Sequence, residues 1–341
     1  MAADPLATAA PAAPAAMTAA WFAEGRASLV SLPTPNPAPG QALVRVDYCG
    51  ICNTDLELLA GYYGFAGVPG HEFVGRVAFA PGRPELTGLR VVGEINIGCG
   101  VCARCLGGDA RHCAQRKALG IKGWDGALAE YVLLPMANLR RVPEGVADRA
   151  AVFAEPLAAA LEIGQQVHIT NRDKVLVLGD GKLGLLVALG LRHLAPGLIL
   201  AGRHQAKLDI ATAQGVRALL AEREDLTELA RGLGGFDLVV EATGRPEGLE
   251  LALGLVRPEG TIVAKTTSHR PGSLNLAALV VNEINLMGSR CGDLGLALSY
   301  LQNRWLAVEP LITAEFPLAE LSAALQAART PGSLKVLVRP A

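Results

Sequence analysis

Aromatic residues are scarce in this chain, with seven Phe, five Tyr and three Trp among 341 residues. Any core must therefore be built mainly from Ala, Val and Leu, and a hydrophobic content of 51% is enough to supply it. An excess of charge is missing too, since 31 Lys and Arg stand against 32 Asp and Glu, a net of −1. That balance argues against nucleic acid or an anionic membrane as the main partner. No apolar run reaches the roughly 20 residues needed to span a bilayer. Residues 1–16 are Ala- and Pro-rich with almost no charge, and they lack the basic and apolar regions of a secretory signal. They read as a disordered extension, with Met17 opening the folded part. These absences predict a soluble, cytoplasmic protein, and its length gives room for about two domains.

Cysteine is also sparse, seven in all, yet Cys99, Cys102, Cys105 and Cys113 fall in a single C-x2-C-x2-C-x7-C cluster. A disulfide knot requires an oxidising compartment and usually a small secreted domain. A closed tetrahedral zinc site instead favours short paired spacings and four thiolates that converge. Gly98, Gly100, Gly107 and Gly108 allow the tight turns that convergence needs. Spacing and context favour zinc.

From about Trp21 to Pro143 the chain shows short β-type runs at 41–48, 73–80, 89–97 and 128–134, separated by Gly and Pro clusters. This predicts a compact β-rich domain over 17–156. The pattern changes near Glu155. A helical stretch at 157–166 leads to an apolar strand at 174–178, after which strands (198–201, 236–241, 261–265) alternate with helices (205–214, 246–255). Alternation at this pitch indicates parallel βαβ units, here over 157–287. The remainder, 288–341, rejoins the first domain, so the βαβ domain is an insert.

The strand at 174–178 runs into Gly179-Asp180-Gly181-Lys182-Leu183-Gly184 and an apolar helix, the context that gives a G-x-G-x-x-G its meaning. Gly179 makes the tight turn, Gly181 lets a pyrophosphate approach, and Gly184 lets the helix pack closely. The helix N-terminus then offers N–H groups to phosphate. NAD sites carry Asp or Glu at the end of the second strand. This chain has Gly202, Arg203 and His204 there, with Lys207 one turn on. Cations without a carboxylate favour NADP over NAD.

A second metal cluster is spread along the chain, as Cys49-Gly50-Ile51-Cys52-Asn53-Thr54-Asp55 and Gly70-His71-Glu72. Alone, a C-x-x-C is equally a redox pair or half a zinc site, and a single His is more often structural. Beside a cofactor motif they suggest a reactive zinc with an open position.

With Glu155-Pro156 and the run FDLVVEATG at 236–244 added, the chain resembles the zinc-dependent medium-chain alcohol dehydrogenase superfamily. The resemblance runs from about Met17 to the C-terminus, with the motifs in family order. It implies a GroES-like catalytic domain with an inserted Rossmann domain, a doubly wound parallel sheet. It also implies two zinc ions, one structural, in a lobe at about 96–114, and one catalytic, in the cleft between the domains. Carried over position by position, Cys52, His71 and Glu155 are the catalytic ligands, with Glu at the third place as in the polyol and sugar (glucose) dehydrogenase branch. Glu72 is an alternate ligand, Asp55 orients His71, and Cys49 has no metal role. Thr54 matches the residue whose hydroxyl bridges substrate and cofactor ribose. Glu57 stands where many members have a proton-relaying His. A glutamate relays protons only when its environment brings its proton affinity toward neutrality, and a solvent-facing helix glutamate is the plainer reading. Lys335 matches a basic residue on the cofactor pyrophosphate, or is a surface lysine closing a strand. Arg290 is a candidate to face the cleft, and Cys291 a packed thiol.

The resemblance thus implies hydride transfer between NADP(H) and an alcohol–carbonyl pair, the alcohol being a polyol, a sugar or a secondary alcohol. A primary-alcohol, aldehyde or amino-alcohol substrate is the runner-up. A catalytically silent NADP-binding redox sensor is the alternative of a different class, and the intact set of Cys52, His71 and Glu155 argues against it. Family members are homo-oligomers, dimers or tetramers.

Overall fold

The structure is a computed structural model that describes residues 13–267 and 272–340. Two compact units divide the chain. The first takes the chain up to Val152, Ala314–Arg329 and the end from Val336, and the second takes Phe153–Thr313 and Thr330–Lys335. Most of the expected N-terminal extension, residues 1–12, lies outside the described residues, whereas Ala16 already opens strand β1.

In the first unit β1 (Ala16–Ala23) pairs antiparallel with β2 (Arg26–Pro33). Glu24 (φ 50°) and Gly25 (φ 72°) between them both take the positive φ that a two-residue hairpin of matching twist requires. There follow β3 (Gln41–Ile51), helix α1 (Asn53–Leu59), β4 (Glu72–Phe79), β5 (Arg90–Gly93) and β6 (Asn96–Ile97). Next come α2 (Ala103–Leu106), β7 (Lys117–Leu119), β8 (Gly123–Trp124), β9 (Tyr131–Pro135), β10 (Leu139–Arg141) and α3 (Asp148–Ala151). The single strand expected over 89–97 is broken. Glu94 turns its carboxylate onto the N–H and side-chain amide of Asn96, and Asn138 donates to the carbonyls of both. β6 is thereby diverted into a small separate sheet with β7 and β8. The run expected from 128 starts as a strand only at Tyr131, because the amides of Gly126, Ala127 and Leu128 bond the carbonyls of Val68, Gly70 and Pro69.

The second unit begins with α4 (Ala154–Gln166) and β11 (Val175–Leu178), then α5 (Lys182–Leu191), β12 (Ile199–Gly202), α6 (Gln205–Thr212) and β13 (Arg217–Leu220). It continues through α7 (Leu226–Leu233), β14 (Phe236–Glu241), α8 (Gly248–Leu255), β15 (Val256–Ala264), α9 (Leu276–Val281), β16 (Asn285–Gly288) and α10 (Leu294–Gln302). All pairings in its sheet are parallel, in the order β13-β12-β11-β14-β15-β16. This is the doubly wound order, which opens a ligand crevice at the carboxyl ends of β11 and β14. β11 reads Val-Leu-Val-Leu with all four residues buried, as a strand covered on both faces must. Leu176, Phe236, Val239 and Ile262 lie in the core of this unit. α4 is rich in Ala, and a Cβ at Gly190 of α5 would come within 2.8 Å of Leu161, so glycine permits the close approach of these helices. After β17 (Ile312–Pro317) and α11 (Leu321–Arg329), β18 (Lys335–Arg339) pairs antiparallel with β3. The main sheet of the first unit runs β10-β5-β4-β3-β18-β17, with β9 also on β3.

Candidate active site

Cys52 is the N-cap of α1, where the chain leaves β3. Asp55, wholly buried, accepts the Cys52 N–H at 2.8 Å and the Gly70 N–H at 3.2 Å. Its Oδ1 also lies 3.6 Å from Nδ1 of His71. One carboxylate thus holds the backbone of Cys52 and of Gly70, the residue before His71, and lies beside the imidazole. A carboxylate in this place suits the orientation of an imidazole that binds metal. Burial pushes the Asp55 carboxyl up, opposed first by His71 and then by the Cys52 amide. Gly70 (φ +98°) is required at the turn, since a Cβ there would lie 2.7 Å from the Leu128 nitrogen.

Cys52, His71 and Glu72 bring ligand atoms within 4.8 Å of one another. A thiolate, an imidazole and a carboxylate form a donor set that suits zinc, and three protein donors leave a coordination position open. The Cys52 thiol lies 3.7 Å from the Thr54 hydroxyl. Glu57 is half-buried beside Tyr62, whose phenol is pushed up first by its bond to Tyr63, then by burial, and by Glu57 last. Cys49 lies inside β3, its buried sulfur 3.9 Å from the Gly50 carbonyl oxygen and outside the ligand group. Glu155 belongs to the second unit, in the first turn of α4, with Pro156 next to it. Proline is tolerated there because its missing N–H would have no partner within the helix.

Cys99, Cys102, Cys105 and Cys113 also gather their sulfurs within 4.8 Å. Sulfur–sulfur distances are 4.0 Å for Cys99–Cys105 and 3.8 Å for Cys102–Cys113, too long for disulfides. A Cβ at Gly98 would sit 2.6 Å from the Cys105 sulfur, so this glycine makes room for the cluster. The amides of Val101 and Cys102 bond Cys99 and hold its thiol down to about 6, while Cys105, despite its bond from the Gly100 amide, is pushed up to about 11 by burial and the neighbouring thiols, so without a metal the cluster favours the thiolate at Cys99. Four converging sulfurs make a donor set that suits a closed zinc site. Cys99→Ser is expected to lose one zinc equivalent and to lower Tm on the order of 5–10 °C. Metal analysis beside a thermal melt checks this, and an unchanged melt would argue against a structural role.

In the second unit the glycine motif forms the floor of a cavity of about 810 Å³. Gly179 has φ +111°, and a Cβ there would lie 2.4 Å from the Ala242 carbonyl oxygen. A Cβ at Gly184 would lie 1.9 Å from the Gly179 carbonyl oxygen, whereas Gly181 has open space around it, as a passage for pyrophosphate requires. Lys182, Leu183 and Gly184 form the first turn of α5. Arg203, His204 and Lys207 also line the cavity, and Arg203 and Lys207 have no ion-pair partner among the described residues.

The sequence reading places no carboxylate at the end of β12, but the structure brings Asp180 there from the glycine motif. Asp180 accepts the backbone N–H of Arg203 at 2.7 Å and of His204 at 2.6 Å, and lies 3.0 Å from the His204 ring. Burial alone would raise its carboxyl, yet the His204 and Arg203 bonds outweigh it and hold it below the usual range. A Cβ at Gly202 would meet the Asp180 side chain at 2.4 Å, so this juxtaposition depends on glycine. Thr243 and Arg245 line the same cavity. Thr243 ends the run FDLVVEATG with Gly244, whereas no local motif points to Arg245.

Lys335 is not the surface lysine that one reading expected. It is 1% exposed, with its ammonium 5.5 Å from the centre of the Phe153 ring, and it does not line the nucleotide-end cavity. Arg290 is exposed and Cys291 is a buried thiol.

Two families match the chain, the alcohol dehydrogenase GroES-like domain over residues 38–144 and the zinc-binding dehydrogenase over 183–313. A sorbitol dehydrogenase of Halalkalibacterium halodurans is 30% identical over 93% of this chain and 96% of its own length. The chain belongs to the zinc-dependent medium-chain dehydrogenase superfamily. This dehydrogenase is therefore an oxidoreductase of the alcohol dehydrogenase type that works with zinc and a nicotinamide cofactor. The GroES-like and doubly wound architecture is as the resemblance implies. Among solved structures, an alcohol dehydrogenase of Escherichia coli CFT073 in complex with NADH superposes with a TM-score of 0.89 at 27% identity, over 96% of this chain and 100% of that one. A zinc-binding dehydrogenase of Sinorhizobium meliloti 1021 bound to NADP does so with a TM-score of 0.87 at 29% identity, over the same shares, 96% and 100%. Among the described residues no helix is long and apolar enough to cross a membrane.

Proposed function

We propose that this dehydrogenase transfers a hydride between NADP(H) and an alcohol–carbonyl pair, the alcohol being a polyol, a sugar or a secondary alcohol. The observation that carries this reading is the group of Cys52, His71 and Glu72, with the Cys52 N–H held by Asp55. The sorbitol dehydrogenase relative supports the substrate class.

In this reading each chain holds two zinc ions. Cys52, His71 and Glu155 hold the reactive one, and Cys99, Cys102, Cys105 and Cys113 the structural one. Bound zinc supplies Lewis acidity at the substrate oxygen, and the nicotinamide supplies or accepts the hydride. The protein provides the rest. Asp55 fixes the orientation of His71, and Glu72 is a reserve ligand. The Thr54 hydroxyl, bridging substrate and cofactor ribose, takes up the alcohol proton, and Glu57 relays it outward to water. Gly179, Asp180, Gly181, Lys182, Leu183 and Gly184 cradle the pyrophosphate. Arg203, with Lys207 and His204, takes the 2′-phosphate, which an arginine fork fits well. Lys335 is the basic residue whose charge would serve the cofactor pyrophosphate. The protein works in the cytoplasm as a homo-oligomer, whose size light scattering reads directly.

An NADP-reduction screen over alcohols, polyols and aldoses, run with and without zinc chelation, tests the proposal. Turnover of polyols or secondary alcohols that chelation abolishes is the expected result. Turnover confined to primary alcohols or aldehydes would overturn the substrate class. Glu57→Gln is expected to lower kcat several-fold and to shift its pH profile. An unchanged profile removes Glu57 from the relay.

A further inference from the structure

Lys265 directly follows β15 and is 6% exposed. A buried ammonium must have its donors satisfied, and this one has three acceptors. They are the Ala159 carbonyl oxygen at 2.7 Å, the Arg290 carbonyl oxygen at 3.1 Å and the Ser289 hydroxyl at 3.3 Å. Its own backbone N–H bonds the Glu241 carbonyl at 2.8 Å, which roots it at the carboxyl edge of the parallel sheet. The three acceptors belong to two separate elements, α4 and the segment after β16.

Ala159 lies four residues beyond Glu155, so both project from one face of α4. The segment after β16 presses on the same helix at a second point, where a Cβ at Gly292 would lie 1.9 Å from the Ala158 carbonyl oxygen. Burial pulls the Lys265 ammonium down to about 8, against the opposing influence of Cys291, Glu155 and Glu162. A buried cation of this kind adds little to stability compared with an apolar side chain of similar size, so its geometry calls for another account.

We infer that Lys265 is a positioning residue: by gripping α4 at Ala159 and the 289–292 segment at Ser289 and Arg290, it sets the direction in which the first turn of α4 presents Glu155 as a metal ligand. This rests on the reading of Glu155 as a ligand given above.

A double-mutant cycle in the full-length protein, scored by chelator competition for zinc, tests the inference. Lys265→Met is expected to weaken the reactive zinc by about tenfold, the range found for outer partners of metal ligands, while the four-cysteine zinc is retained. Glu155→Gln should weaken the same zinc more. Adding Lys265→Met to it should then change affinity by less than about twofold, because the residue acts through Glu155. If Glu155→Gln weakens zinc and Lys265→Met does not, this inference alone is overturned. Equal weakening by Lys265→Met in both backgrounds overturns it too. If Glu155→Gln has no effect, the ligand reading falls and takes this inference with it. Should the methionine variant lose the four-cysteine zinc as well, Lys265→Gln, which keeps a donor, is scored by the same rule.

Discussion

Cys52→Ser is expected to lower kcat/KM by about a thousandfold or more, since losing the Lewis acid forfeits several kcal/mol of transition-state stabilisation. Serine is a suitable choice because it keeps everything but the sulfur. The Asp55 bond goes to the backbone N–H of residue 52, which serine retains. Serine is also a favoured N-cap, so α1 keeps its start. The loss of activity should therefore come with one zinc equivalent fewer and with a melting temperature close to wild type. That pattern is the opposite of the one expected for Cys99→Ser, which strikes stability first. Retained activity in Cys52→Ser would refute the assignment of the reactive site.

Arg203→Asp is expected to lower kcat/KM with NADP by roughly a hundredfold, the loss of a charge-assisted phosphate contact worth about 1.5–3 kcal/mol. Charge repulsion adds to the loss. The same change should leave NAD turnover intact or raise it, which reverses the preference. The structure sharpens the expectation, because Asp180 already places one carboxylate 2.7 Å from the Arg203 nitrogen. A second carboxylate beside it would make this end of the cavity hostile to a 2′-phosphate. The measurement is kcat/KM for both cofactors in both proteins. A wild type that prefers NAD would refute the NADP reading outright.

Local signals carried the sequence reading a long way. The strand expected at 236–241 is β14 (Phe236–Glu241) residue for residue, because five of its six residues are buried and a turn follows it. The glycine motif was legible for the same reason, since strand, turn and helix are contiguous in the chain. The resemblance, rather than spacing, singles out Cys52 over Cys49, and the fold gathers Cys52 with His71 and Glu72. What was illegible depends on residues distant in sequence. Asp180 reads as a filler between glycines, and only the pairing of β11 with β12 carries it to Arg203 and His204. Lys265 and Lys335 read as polar strand ends, because charge at the end of an apolar run normally faces water, yet both are buried. The break in the strand expected at 89–97 comes from Asn138, more than forty residues away.

Asp55 holds Cys52 and Gly70 through hydrogen bonds that need no metal. The backbone at Cys52 and next to His71 is therefore set by the folding of β3, α1 and β4, and a metal would enter a vessel already shaped. The four-cysteine lobe hangs between β6 and β7, outside the main sheet, and a metal would tie its four thiols to one another. A metal bound at Cys52 and His71 would thus be a late cargo of a finished fold, whereas one bound by the four cysteines would take part in making it.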